Sequence, residues 1–303
     1  MKILKTCFEF LWKGLVIGFL NLVTLTIVGG VLTSLGVKFP EVKGDFSFIL
    51  YIMFLSGFII SIIGGIIVKQ LHLPKSKVFV ALFLMFFLNV VTQMLEALFF
   101  APGLVSWETA PAIFGQQSIM YLFISAGITL LFRYNGETEQ AGKRQKRSWR
   151  GWLGRILVSS GSYVLFYFIF GSINAALITG DYYRSEISGL HLPSTLEILM
   201  LEPIRAALLV LSVIPLIMYL RVSKKKCAAI VGMVLFILGG LLPMLQQLNT
   251  LPTAVAVSSI FEMFFQFFLT GVVITYIFLY EKPTIQESPS VSDAEKGNGS
   301  GLN

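Results

Sequence analysis

Residues 47–68 read SFILYIMFLSGFIISIIGGIIV, an apolar run without a single charge that stops at Lys69. A helix needs about 20 such residues to cross about 30 Å of hydrocarbon. A transmembrane β-strand would alternate apolar and polar side chains over about 10 positions, and this run is continuous and about twice as long. Comparable runs lie at 14–35, 78–100, 113–132, 156–179, 197–220, 227–245 and 254–279. The expected fold is therefore all-α, a polytopic integral membrane bundle of about eight transmembrane helices. Composition agrees: 55% of the 303 residues are hydrophobic, 13% are charged, and the mean hydropathy is +0.81. Soluble domains carry about twice that share of charge.

The basic residues then set the topology. Lys2, Lys5 and Lys13, then Lys69, Lys75 and Lys77, then Arg133 to Arg155, then Arg221 and Lys224 to Lys226, alternate with connections poor in Lys and Arg. An even number of spans puts every strongly basic connection on one side, which the positive-inside rule makes the cytoplasm, with both termini there. A plasma membrane location is the accompanying expectation. The net charge of +7 is thereby used up beside the membrane and implies no nucleic-acid partner. Trp12, Trp149 and Trp152 flank the inner interface and Trp107 the outer one, where an amphipathic indole is at home. Cys7 and Cys227 both adjoin basic flanks, so no disulfide is expected. The first run lacks a small-residue cleavage site and reads as a retained helix.

Lys143, Arg144, Lys146, Arg147 and Arg150 crowd the segment 134–151. That segment reads as a cytoplasmic linker between a first half, 1–133, and a second half, 152–281, with anionic lipid headgroups as a further partner for its charge. From 282 to 303 the chain turns to Ser, Pro, Glu, Gly and Asn, the composition of a disordered tail. Each half opens on a basic Trp-containing stretch, Trp12-Lys13-Gly14 and Trp149-Arg150-Gly151, and ends on an aromatic. Met94-Leu95-Glu96 also faces Met244-Leu245-Gln246 in the third span of each half. A parallel tandem repeat of four spans is one reading of these echoes, and shared apolar composition is the other.

No phosphate loop, metal-protease motif, hydrolase elbow or cysteine pair at metal spacing occurs, so neither a cofactor nor a metal nor enzymatic activity is expected. His72 and His191 each sit in an LHLP string and read as helix-end residues. Polar residues inside the spans are the stronger signal, because hydrocarbon penalises them unless they face the bundle. Asn89, Gln93 and Glu96 form one stripe; Ser259, Glu262, Gln266 and Thr270 form another; Ser159, Tyr163, Tyr167 and Asn174 a third. Gln117, Tyr121, Ser125 and Thr129, and Asn21 with Thr24, add two more. Glu262, too deep in its span to be an interfacial flank, leads the candidates for a cavity lined by Glu262, Gln266, Glu96, Gln93, Asn89, Tyr163 and Tyr167, open to the extracytoplasmic side. The plainer reading is interhelical hydrogen bonding at about 0.6 kcal/mol per bond.

Glu202 and Arg205, three apart, are a candidate ion pair that lets the short sixth span enter the membrane, and Pro215 is placed to kink it. The glycine pair Gly14 and Gly18 marks close helix packing. Two functions fit these features: a permease-like carrier of a small solute or lipid, or a non-transporting assembly factor, sensor or partner subunit. An intramembrane enzyme is a third.

Overall fold

A computed structural model of the protein describes residues 2–40, 45–71, 73–103, 105–132, 148–185 and 191–280. Among them there is no strand, and eight helices are long and apolar enough to cross a membrane. These are α1 (Lys2–Ser34), α2 (Phe46–Val68), α3 (Lys75–Phe100), α4 (Ala110–Leu131), α5 (Trp149–Arg184), α6 (Thr195–Tyr219), α7 (Lys224–Gln246) and α8 (Thr253–Leu279). The chain is a multi-pass helical membrane protein.

Their ends follow from local chemistry. Asp45 caps α2 by accepting from Ser47 N, and Ser148 caps α5 by accepting from Gly151 N. At α6, Ser194 and Glu197 form a reciprocal capping box, which starts the helix two turns before Glu202 and gives the short apolar run its missing length. The first helix begins near the N-terminus, well before the apolar run. Its added turns are held by Glu9, whose carboxylate takes Lys13 at 2.5 Å and Lys69 at 2.7 Å. Pro203 and Pro215 both lie within α6, which stays helical through to Tyr219.

The outward surface is what lipid requires. On α1, Leu11, Leu15, Phe19, Val23, Ile27 and Val31 are exposed at a spacing of four, while Ile17, Asn21 and Thr24 are buried on the other face. The inward polar stripes are likewise buried at Tyr121, Ser125, Thr129, Ser159, Tyr163, Asn174, Ser259, Gln266 and Thr270.

α1 packs on α2 and α4, and α4 also meets α2 and α3; α5 packs on α6 and α8, and α8 also meets α6 and α7. The second half repeats the neighbour relations of the first. Between halves, α3 packs along α6, α2 meets the last turns of α7, and α3 meets the middle of α7. A two-fold axis along the bundle, exchanging α3 with α7 and α2 with α6, would generate the same pairs.

Two glycine contacts bring backbones together. A Cβ on Gly57 of α2 would lie 2.6 Å from Asn21 Cβ and 3.0 Å from Gly18 Cα on α1, and one on Gly271 of α8 would lie 2.5 Å from Gly232 Cα on α7. Without hydrophobic drive between helices in lipid, such close approach supplies the dispersion that holds them.

Connections at each end of the bundle touch. Arg221 N donates to Gln70 O at 3.3 Å at the basic end, and His191 N donates to Phe100 O at 2.9 Å at the other. His72 and the linker residues Lys143, Arg144, Lys146 and Arg147 lie outside the described residues. Arg150 is exposed in the first turn of α5.

Candidate functional site

Two polar assemblies lie inside the bundle. The first joins α3 to α6. Arg205 is 1% exposed and each guanidinium nitrogen finds an acceptor: Nη1 donates to Glu202 at 2.6 Å, Nε donates to Thr92 O at 3.2 Å, and Nη2 donates to Glu96. The ion pair within α6 is thus one arm of a triad that reaches a neighbouring helix. Glu202 is completely buried and its Oε2 has no hydrogen-bond partner. Two carboxylates on one guanidinium leave one negative charge in excess if both are ionised.

Next to the triad, Tyr163 of α5 is buried with an unpartnered hydroxyl, 6.4 Å from Tyr167 ring to ring. The charges of Arg205, Glu202 and Glu96 act on both phenols. Glu262 lies on α8. Its Oε2 accepts from Asn174 Nδ2 at 2.5 Å, linking α8 to α5. Asn174 directly precedes a π-turn at Ala175–Thr179, the local widening that shifts the helix register there.

The second assembly is hollow. A cavity of about 150 Å³ between α3, α4 and α7 is lined by Asn89, Gln93, Gln117, Gln246 and Gln247 among apolar neighbours. It adjoins an open cavity of about 640 Å³ lined mainly by α1, α2 and α4. Ile113, Gln117, Tyr121 and Gln246 line both. The larger cavity runs from the α1–α2 connection at Phe39 and Pro40 down to Asn21, Ser56 and Ile60 at mid-depth.

The α3 stripe therefore divides. Asn89 and Gln93 line the smaller cavity, whereas Glu96 turns to Arg205. Glu262, Gln266, Tyr163 and Tyr167 line neither cavity. Gln93 has a second task that Pro243 creates. A proline cannot donate to the carbonyl four residues back, which is Gly239 O, and Gln93 Nε2 supplies that donor at 2.8 Å. The same place carries the π-turn Ile237–Leu241.

Sequence reasoning named Glu202 with Arg205 because three-residue spacing is visible along one helix. It missed Glu96 as their third member, and it missed Ser56, Gln116 and the Glu9 cluster. Pro243 and the Gly239-Gly240 pair are the local sequence signals for a disturbed α7. No group of three or more His, Cys, Asp or Glu arranged to hold a metal occurs among the described residues.

No curated protein and no solved structure matches the chain. A family model does, over residues 135–292, which is just over half of the chain and takes in the basic segment and all four spans from α5 to α8. The chain belongs to the family described as conserved membrane protein YqhR.

Proposed function

We propose that the protein is a permease-like carrier that takes a small solute or lipid into the joined cavities, entering from the extracytoplasmic end. One observation supports this reading: Ile113, Gln117, Tyr121 and Gln246 line both hollows, so movement of these side chains alone would join the α1–α2 connection to the polar side chains where the halves meet. Carriers built from repeats hold their solutes at such an interface. The two halves are, on this reading, tandem units joined by the basic linker, in keeping with their matching neighbour relations.

The inward side of the plasma membrane is assigned by charge. Lys69, Lys75, Lys77, Arg155, Arg221 and Lys224 to Lys226 gather at the end where α1 begins and α8 finishes, and Glu108, Asp181 and Glu197 gather at the other. On this topology the positive charge of the linker sequence would attract anionic headgroups.

A second reading has an observation of its own. Arg205 ties Glu96 to Glu202, and Asn174 meets Glu262, all by contacts within the bundle, so these groups also suit a non-transporting partner subunit or sensor. Sidedness of access separates the two. In a background of Cys7→Ser and Cys227→Ser, a single cysteine replacing Gln117 or Asn89 is treated in oriented vesicles with a membrane-impermeant maleimide. A carrier labels from both sides. Labelling from the outer side alone, or from neither, rejects transport and favours the partner or sensor.

A further inference from the structure

The large cavity is apolar along most of its wall, yet at its deep end it buries two polar atoms that nothing satisfies. Asn21 is 1% exposed and Ser56 2% exposed, and both line the cavity. Asn21 Nδ2 donates to Met53 O at 2.5 Å, which fixes the amide and leaves Oδ1 as an acceptor without a donor. Ser56 Oγ is unpartnered as well. Each such group costs about 1–3 kcal/mol when buried unsatisfied, so a cavity lined by both residues favours a hydrogen-bonding occupant.

The rest of the wall limits what that occupant is. Among the described residues, no Lys, Arg, Asp or Glu lines the cavity. A phosphate or carboxylate held at Asn21 and Ser56 would meet no counter-charge from these lining residues, at a cost that neutral ligands avoid. Leu25, Ile49, Leu50, Met53 and Met120 supply apolar surface instead. A volume of about 640 Å³ falls inside the range of pockets that enclose one drug-sized molecule. The shape is held by Gln116 Nε2, which donates to Leu25 O at 2.9 Å and ties α4 to α1 across the wall.

We infer that this cavity binds an uncharged single-chain amphiphile whose hydroxyl or amide head reaches Asn21 Oδ1 and Ser56 Oγ while its chain lies along the apolar wall toward the α1–α2 connection. The inference rests on the cavity reading above and names the class of molecule it takes. The head is a donor, because Asn21 presents an acceptor; Ser56 completes the pair as donor or acceptor.

The test uses the full chain in nanodiscs and a hexadecanol analogue carrying a mid-chain diazirine. Photolabelled peptides are mapped with hexadecanol, hexadecanoate or hexadecane as competitor. The expected result is labelling confined to α1, α2 and α4, displaced by hexadecanol in preference to the other two. Ile49→Trp, which fills the cavity, should reduce labelling about ten-fold. Ser56→Ala removes only the hydroxyl and should weaken hexadecanol competition about five-fold, the worth of one hydrogen bond, while hexadecane competes as before. Asn21→Leu should do the same, and because its amide also holds Met53, Ser56→Ala decides if that variant fails to fold.

Labelling spread over the lipid-facing helices and indifferent to Ile49→Trp would overturn the inference. So would equal competition by hexadecanoate, or no labelling at all, which is the result if water alone satisfies Asn21 and Ser56. Failure here is distinguishable from failure of the carrier reading. One-sided maleimide access with selective hexadecanol binding removes transport and leaves the ligand class; two-sided access without alcohol preference does the reverse.

Discussion

The two seams between the halves are closed in opposite ways. Where α3 meets α6, Glu96, Arg205 and Glu202 fill the contact with charge and hydrogen bonds. Where α7 approaches α2, the corresponding position 150 residues on is Gln246, which meets no such arginine and stands over a cavity. Matching helix neighbours are thus joined rigidly on one side and leave a hollow on the other. Ionic groups in a membrane interior are costly unless they meet one another, so the ion triad fixes its seam strongly, and the glutamine leaves room. The lesson is that near-symmetry in backbone packing does not carry over to the chemistry of the seams.

The most severe way to break that contrast is Arg205→Met. It strands Glu96 and Glu202 beside each other, and removing one partner of a buried ionic group costs about 3–5 kcal/mol. Thermal unfolding of the purified protein, followed by tryptophan fluorescence, should show a large loss. The triple change Arg205→Met, Glu96→Gln and Glu202→Gln should restore most of it. If Arg205→Met alone melts like the natural protein, the triad does not hold the seam.

Backbone contacts give a middle-sized effect that compares the halves directly. Gly57→Ala in the first half and Gly271→Ala in the second each push a methyl against a neighbouring helix. Overpacking of this kind costs about 1–3 kcal/mol. Gly271→Ala should be the worse, because its nearest atoms are Gly232 backbone, whereas Gly57 meets the side-chain Cβ of Asn21 first. Gly30→Ala and Gly115→Ala, where a Cβ meets open space, serve as controls and should melt unchanged. Equal melting of all four would mean that the helices are not packed as closely as described.

Much of this architecture could be read from residues. The run at 47–68 gave its helix within a residue at each end, and the stripes through Tyr121, Tyr163 and Gln266 do turn inward. Spacing along one helix exposed Glu202 with Arg205. What remained hidden depends on which helices become neighbours. Glu96 lies 109 positions from Arg205, and no periodicity says that α3 faces α6. The cavity was illegible for a related reason: it is defined by side chains that fail to fill space, and Asn21 and Ser56 look like ordinary span residues until their partners are counted. The turns added before the first apolar run depend on Glu9, which stood unremarked within a basic flank.

The smallest predicted effect sharpens the view of α7, where the helix widens beside the seam. Gln93→Leu withdraws the donor that Gly239 O takes in place of the N–H that Pro243 lacks. Hydrogen bonds between membrane helices contribute about 0.6 kcal/mol on average and at most about 1.7 kcal/mol, so the loss in melting stability should fall in that range. Pro243→Ala restores an N–H four residues after Gly239 and should close the local gap from within the helix. In that background Gln93→Leu should cost almost nothing, and the difference between the two backgrounds isolates the bond in a double-mutant cycle. A Gln93→Leu cost that is identical with and without Pro243 would show that the glutamine acts by lining the cavity and not by completing the helix.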